Sequence, residues 1–311
     1  MEKRSSAVVG EIKKVIVGKD EVIEGVLMTI LAGGHVLLED VPGVGKTTLA
    51  LAFSKVMGLE YKRVQFTSDT MAGDIVGFSV YNKKTDSFDY KPGAVFCNLF
   101  LGDEINRTSP KTQAALLEVM EEGQVTVDGV TYRVPEPFTC IATQNPLGSA
   151  GTQNLPESQL DRFMVKLSMG YPTVDDQIDI VKQRQKDDPL DTVTPVVNAS
   201  EVIAMKEEVQ AVFTHDEVIR YAAALCENTR TADDVSQGVS PRAVLALIKL
   251  AKARAFVDGR DFITPEDIRK IFIPVCAHRL VLTPKARIKN ITSTDILNKL
   301  LKDTPEPKMG K

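Results

Sequence analysis

The sequence predicts an α/β protein: a parallel-sheet core covered by helices on both faces, followed by a smaller all-α domain. Two observations carry that expectation. As far as Phe163, short apolar runs of strand length alternate with helix-length amphipathic segments, the pattern of strand–helix–strand crossovers. Beyond Phe163 the helical period continues and the strand-like runs stop. The length of 311 residues, generous for one domain and natural for two, agrees.

In chain order, residues 6–17 set Val8, Val9, Ile12, Val15 and Ile16 at helix spacing. Asp20 has the chemistry of an N-cap for a second apolar helix, which the Gly33-Gly34 pair ends. Strands are expected at 35–39, 61–66, 96–101 and 138–143, with helices at 46–57 and 110–122. Two segments break the alternation. Residues 77–93 have strand-like ends around a polar Asn-Lys-Lys-Thr-Asp turn and read as short and polar. Residues 124–135 set alternating Val and Tyr around Asp128-Gly129, a strong two-residue hairpin signal. Both are expected to be β-hairpins inserted into the core.

After Phe163, a helix at 175–186 and a linker at 188–195 lead to helices near 200–212, 216–229, 241–256, 265–272 and 294–301. Ser240-Pro241 and Thr264-Pro265 each pair an N-cap residue with proline at the first helical position. The division expected is an α/β core over 1–188, a helical domain over 189–303 and a disordered tail over 304–311.

Apolar residues make 43% of the chain and charged residues 26%, which excludes a disordered polypeptide, and the length needs no disulfide or metal staple. A net charge of −4 argues against a whole-protein electrostatic grip on nucleic acid or an anionic membrane. Cys97, Cys140, Cys226 and Cys276 lack C-x-x-C spacing and read as small buried hydrophobes; His35, His215 and His278 are too scattered for a metal site. The N-terminus is charged and has no signal-peptide core, and the longest apolar run, 25–38, is too short to span a bilayer. The expectation is a cytoplasmic protein with no membrane insertion.

Asp40-Val41-Pro42-Gly43-Val44-Gly45-Lys46-Thr47-Thr48 follows a strand and opens a helix, the context of a phosphate-binding P-loop. Its glycines let backbone N–H groups close around phosphate oxygens, and the helix N-terminus adds a favourable dipole. Lys46 would reach the β- and γ-phosphates, and Thr47 would offer a hydroxyl to Mg2+. One departure stands out: the strict motif has glycine where this chain has Asp40.

Leu99-Phe-Leu-Gly-Asp103-Glu104 is an apolar strand ending in two carboxylates, the Walker B form. Asp103 would hold Mg2+, and Glu104 would polarise the attacking water. Asn98 is oddly polar beside that strand, and the sequence names no partner for it. The 138–143 strand ends in Gln144-Asn145-Pro146, where a polar side chain can hold water near a γ-phosphate or simply start a turn. After the loop at 148–153, Arg162 is either a surface residue or an arginine finger. Arg242 opens a helix whose dipole does not favour a cation, which raises the weight of a ligand role.

Together these segments resemble the MoxR family of AAA+ ATPases, in the helix-2-insert clade related to magnesium-chelatase motor subunits. The resemblance spans nearly the whole chain. It rests on Val17-Gly18-Lys19, the P-loop, Asp103-Glu-Ile-Asn-Arg107 followed by Pro-Lys-Thr-Gln, Ala142-Thr-Gln-Asn-Pro146, Leu155-Pro-Glu-Ser-Gln-Leu-Asp-Arg-Phe163 and Ser240-Pro-Arg242. It implies an AAA+ core and lid that bind ATP and Mg2+. Asn145 would be sensor 1, Arg242 sensor 2 acting from the lid, and Arg162 a finger reaching a neighbouring subunit's nucleotide. Arg107 is a second trans candidate, and Val17 and Gly18 would lie near adenine. The hairpins would be the helix-2 and pre-sensor-1 insertions.

The resemblance further implies a ring homo-oligomer, a hexamer, acting as a chaperone-like motor on a protein client, with a von Willebrand factor A partner and metal-cofactor insertion as its finer form. Two alternatives stay open. One is a nucleic-acid-dependent motor or loader, suggested by the basic run His278-Arg279 to Lys285, Arg287 and Lys289. The other is a nucleotide-switched docking module with slow turnover.

Overall fold

The computed structural model describes residues 2–145, 155–185 and 187–307. Helices α1 (Glu2–Lys13) and α2 (Asp20–Leu31) precede β1 (Val36–Glu39), α3 (Lys46–Val56), β2 (Tyr61–Gln65) and the short α4 (Ala72–Val76). Strands β3 (Gly77–Asn82), β4 (Ser87–Pro92) and β5 (Leu99–Asp103) lead to α5 (Pro110–Glu122). Then come β6 (Gln124–Val127), β7 (Val130–Arg133), β8 (Thr139–Gln144), α6 (Glu157–Leu160), β9 (Val165–Leu167), α7 (Val174–Arg184) and α8 (Pro189–Thr192). The last part holds α9 (Ala199–Gln210), α10 (Asp216–Arg230), β10 (Val235–Gln237), α11 (Pro241–Val257), α12 (Pro265–Cys276), β11 (Val281–Leu282), α13 (Pro284–Ile288) and α14 (Ser293–Asp303).

The central sheet is parallel throughout, in the order β2-β5-β8-β1-β9. Its strands alternate between two buried clusters. Val36, Leu38, Leu99, Leu101 and Ile141 face a cluster shared with α1, α2, α3 and the helices after α8; Leu37, Phe100, Cys140 and Ala142 face α5 and Phe163. Burial on both faces explains why these strands read as continuous apolar runs. At 1.5–3 kcal/mol for each large side chain buried, the two clusters are the main stabilising term.

Parallel pairing also fixes where the chemistry sits. The P-loop, Asp103-Glu104 and Asn145 all leave the C-terminal ends of their strands, so they share one edge of the sheet. Residues 162–164 precede β9 and therefore lie at the opposite edge, where the Met164 N–H donates to the His35 carbonyl at 2.9 Å.

Both inserted hairpins form. Asp128 and Gly129 have φ of 51° and 79°, the double left-handed geometry of a tight two-residue turn. The base of the β3–β4 hairpin is pinched by two glycines: a Cβ on Gly93 would lie 2.3 Å from the Ile75 carbonyl oxygen, and one on Gly77 2.4 Å from that of Lys91. The hairpins lean together through stacked Tyr90 and Tyr132 rings, 3.9 Å between centroids.

Several expectations need correction. The β3–β4 hairpin is not a polar surface: Phe78, Val80, Tyr81 and Phe88 are exposed on it, because alternating strand residues face solvent on both sides. The C-terminal region is helical as expected and adds one short antiparallel pair, β10 with β11. Lys19, not Asp20, stands at the cap position of α2, and Asp20 instead places its charge in the first turn. The tail is not loose at its start: Thr304 is buried and accepts from Asn228 at 2.8 Å, and Glu306 pairs with Arg269 at 3.2 Å. The strand expected at 96–101 begins at Leu99, after a turn around the buried Val95 and Cys97. The 148–153 loop and Pro146 lie outside the described residues.

Candidate nucleotide site

The P-loop bends through Gly43 and Gly45, both at positive φ, and delivers Lys46 and Thr47 to the first turn of α3. Lys46 is buried, and its ammonium donates to the Asp40 carbonyl at 2.7 Å and to the Val41 carbonyl at 3.4 Å. Burial lowers its pKa, against the pull of the nearby Asp40, Asp103 and Glu104 charges. Its direct hydrogen bonds go to neutral carbonyls, which leaves its charge free for an incoming phosphate.

Asp40 is a strut. Its carboxylate accepts from Ser168 Oγ at 2.7 Å, from the Met169 N–H at 2.6 Å and from the Gly170 N–H at 3.0 Å. Glycine at this position could not tie the P-loop to the segment that leads into α7.

Asp103 and Glu104 end β5, and Thr143 of β8 organises both. Its hydroxyl donates to Asp103 Oδ1 at 2.6 Å and accepts from the Glu104 N–H at 2.9 Å. Glu104 adopts φ 57°, ψ 47°, a left-handed conformation uncommon outside glycine, and strain of this kind clusters at functional sites. Its carboxylate accepts from Asn145 Nδ2 at 2.9 Å and from Arg107 at 2.8 Å. Burial raises the Glu104 pKa, but the hydrogen bonds of Arg107 and Asn145 and the Arg107 charge outweigh it, and the net shift is downward. The Pro-Lys-Thr-Gln stretch has a local reason too: Gln113 donates to the carbonyls of Ile105 and Thr108, fixing the turn that follows Glu104.

A cavity of about 450 Å3 brings Pro42, Gly43, Gly45, Lys46, Thr47 and Thr48 together with Asp103, Glu104 and Asn145. A second cleft of about 330 Å3 joins it through Gly43, Gly45 and Thr48, and its walls include Val17, Val44, Met169 and Ile180. It is largely apolar and has the size of a nucleoside site. Gly18 does not line it but is required beside it, since a Cβ there would sit 2.3 Å from Asp176 Oδ1 of α7.

Three residues escaped the sequence reading. Arg63 of β2 reaches Asp103 Oδ2 at 2.7 Å. Arg184, at the end of α7, lines both cavities and is exposed. Thr143 stands inside the Ala142–Pro146 segment with no role assigned to it. No motif marks Arg63 or Arg184.

Two of the expected site arginines stand away from the phosphate cavity. Arg162 donates to the Leu117 carbonyl at 2.6 Å and pairs with Glu121 at 3.0 Å. Arg242 pairs with the other oxygen of the same Glu121 at 2.5 Å. Both thus stand at the far edge of the sheet from their own P-loop, separated by the strand length, on the order of 15 Å. Arg242, expected as sensor 2 acting from the lid, therefore does not line the phosphate cavity of its own subunit here. Arg107 is engaged with its own subunit's Glu104.

Asn98 finds partners in the Glu60 N–H, 3.1 Å from its Oδ1, and the Pro137 carbonyl, 3.1 Å from its Nδ2. Two of the five residues of the basic run are also spent internally. Arg279 is buried and donates to Asp161 Oδ1 at 2.7 Å and to the carbonyls of Asp161 and Phe163, while His278 meets the Phe163 carbonyl at 3.0 Å. Burial, with the Arg279 charge, holds the His278 pKa well below its usual value.

A glycine-rich strand-to-helix loop, an acidic strand end and an asparagine bonded to it on one sheet edge, with a helical domain behind, are the features of an AAA+ ATPase. In agreement, residues 35–165 match the family of ATPases associated with various cellular activities (AAA), and residues 227–300 match the AAA lid domain. The chain is 44% identical to an uncharacterized protein, YeaC, of Bacillus subtilis, over 96% of this chain and 93% of that one. It is 36% identical to Chaperone MoxR1 of Mycobacterium tuberculosis, over 96% and 81% respectively. The crystal structure of a candidate ATPase from Cytophaga hutchinsonii superposes with a TM-score of 0.92 at 34% identity, over 99% of this chain and 96% of that one. The chain belongs to the MoxR family of AAA+ ATPases and is an ATP hydrolase. Among the described residues, no helix is long and apolar enough to cross a membrane.

Proposed function

We propose that this ATPase works in the cytoplasm as a ring of identical subunits, a hexamer, and spends ATP on remodelling or maturing a partner protein complex. The observation that carries the reading is an opposition within one subunit. The groups that would hold and hydrolyse ATP share one sheet edge, while Arg162 and Arg242 stand together at the other. Arranged head to tail, one subunit's arginine edge faces the next subunit's phosphate cavity, and a head-to-tail contact that closes makes a ring.

In this reading Val41, Pro42, Gly43, Val44, Gly45 and Thr48 shape the cradle, and Lys46 meets the phosphates with its ammonium. Thr47 and Asp103 offer hard oxygen donors in one cavity, a donor set that fits Mg2+, and the bound ion would offset phosphate charge. Arg63, which now covers one Asp103 oxygen, is exposed enough to swing away. Glu104 takes the proton of the attacking water, and Asn145 holds the Glu104 carboxylate toward it. Arg162 and Arg242, from the neighbour, stabilise charge on the transferring phosphoryl group. Val17 borders the base, and Gly18 lets the chain pass close to α7 beside it.

The exposed Phe78, Val80, Tyr81 and Phe88 support a polypeptide client over a nucleic acid, since the hairpin presents apolar surface on which Lys83, Lys84 and Lys91 are largely offset by Asp86 and Asp89. The nucleic-acid alternative also loses His278 and Arg279 to the interior, leaving Lys285, Arg287 and Lys289. A von Willebrand factor A partner and metal-cofactor insertion rest on family resemblance alone. The test is ATPase turnover per subunit across protein concentrations, with Glu104→Gln and Arg162→Ala variants. Turnover per subunit should rise with concentration and collapse in both variants. Concentration-independent turnover under dissociating conditions, or a fully active Glu104→Gln protein, contradicts the reading. Co-purification with the Glu104→Gln form in ATP would identify the client.

A further inference from the structure

Arg162 and Arg242 come from separate motifs 80 positions apart, yet they meet on the two oxygens of one carboxylate, Glu121 at the end of α5. The backbones that carry them are also stapled together. Asp161, next to Arg162, accepts from Ser240 Oγ, two residues before Arg242, at 3.0 Å, and from the buried Arg279 at 2.7 Å. Leu117, one turn before Glu121 on α5, offers its carbonyl to Arg162.

We propose that Glu121 is a positioning residue that holds Arg162 and Arg242 as one two-armed unit, so that both guanidiniums enter the neighbouring subunit's phosphate site together. The inference rests on the composite-site reading above. Its physical basis is charge and exposure. Two cations on one anion leave a net positive charge, and the side chain of Arg242 is 56% exposed while that of Glu121 is 34% exposed. The exposed Arg242–Glu121 pair adds little to stability, so a purely structural role gives it small value. Orientation is different. One carboxylate uses a single N–H edge of each guanidinium, which keeps the remaining donors of Arg242 available for an anion. A triphosphate is an anion with enough oxygens to take two such forks at once. Without the carboxylate, two like charges stand side by side on long, mobile side chains, and each must be ordered separately when ATP arrives.

The test is a turnover matrix on the full-length protein: the parental chain, Arg162→Ala, Arg242→Ala and the double variant, each with Glu121 intact or as Glu121→Gln. With Glu121 intact, either arginine loss should cost nearly as much as both together. Glu121→Gln should lower kcat roughly tenfold, as misplaced groups do, with KM for ATP and the melting temperature unchanged. In that background the two arginine losses should become additive. Glu121→Asp should recover part of kcat. Parental kcat in Glu121→Gln, a kcat above parental (which would make the carboxylate a brake), or non-additivity that survives Glu121→Gln would each overturn the proposal. The composite site can fail separately: if Arg162→Ala turns over normally, that reading falls and takes this one with it. If Arg162→Ala is slow while Glu121→Gln is normal, only the role of Glu121 falls.

Discussion

Asn145 Nδ2 donates to Glu104 Oε1 at 2.9 Å, a bond that joins the tip of β8 to the tip of β5 beside the candidate phosphate cavity. Arg107 holds the other Glu104 oxygen at 2.8 Å. Glu104 is thus presented by one neighbour and restrained by a second, which gives each partner a different expected effect.

Glu104→Gln should keep ATP binding and lower turnover by about 10²–10⁴-fold, the usual share of a general base. Arg107→Ala should act through acidity. Its hydrogen bond and charge help keep the Glu104 pKa below the ordinary 4.5, so the acid limb of kcat/KM should lie below that value in the parental protein. Removing Arg107 should move the limb upward, and a pH–rate profile of the two proteins checks it. An unmoved limb would separate Arg107 from Glu104.

Asp40→Gly restores the strict P-loop motif and should nevertheless harm the protein. It deletes an acceptor that serves Ser168, Met169 and Gly170 from a buried position. Hydrogen bonds to a charged group contribute about 1.5–3 kcal/mol each, so a loss of roughly 3 kcal/mol is expected in denaturant unfolding. KM for ATP should rise with it, because Met169 and α7 line the nucleotide cavities. Parental stability in Asp40→Gly would refute the strut.

Arg184 lines both the phosphate cavity and the apolar cleft of its own subunit. Arg184→Ala should raise KM for ATP about tenfold and leave Arg162-dependent turnover at saturation intact, given that a charge-assisted bond is worth about 1.5 kcal/mol or more. Isothermal titration with a non-hydrolysed ATP analogue measures the affinity directly. Unchanged affinity would remove Arg184 from the site.

Acid should destabilise the fold in a defined window. His35 is buried; its Nε2–H donates to the Met120 carbonyl at 2.8 Å and its Nδ1 accepts from the Cys140 N–H at 3.0 Å, so the ring is neutral. Burial lowers its pKa from 6.5 to about 4. Above pH 6.5 the group contributes no pH dependence. Between 6.5 and 4 the unfolded chain takes a proton that the folded chain refuses, and stability falls by about 3 kcal/mol. His278 is shifted in the same direction and deepens the slope. Urea midpoints from pH 7.5 to 4 should trace it; a flat profile would contradict it.

What the sequence disclosed was local. Asp128-Gly129 announced its turn because the dihedrals it needs belong to those two residues, and the P-loop announced itself because strand, glycines and helix are contiguous. What it hid was distant. The partners of Asn98 lie 38 and 39 positions away, β10 finds β11 across the length of two helices, and Glu121 gathers arginines from two motifs. The hairpin at 77–93 misled for another reason: the polar turn dominates its composition, while Phe78, Val80, Tyr81 and Phe88 alternate along strands that leave them exposed. Arg63 and Arg184 carry no motif, so only the sheet order and the course of α7 bring them to the site.

The central claim is that each ATPase site is completed by a second subunit. Mixing Glu104→Gln with Arg162→Ala measures it most directly. Each variant alone should be nearly inactive. In a mixed ring, an Arg162→Ala subunit supplies an intact Glu104 and its Glu104→Gln neighbour supplies an intact Arg162, so ATP turnover should reappear on mixing and grow with total protein. Turnover that never exceeds the sum of the two separate variants, at concentrations where the parental protein is fully active, would contradict the account.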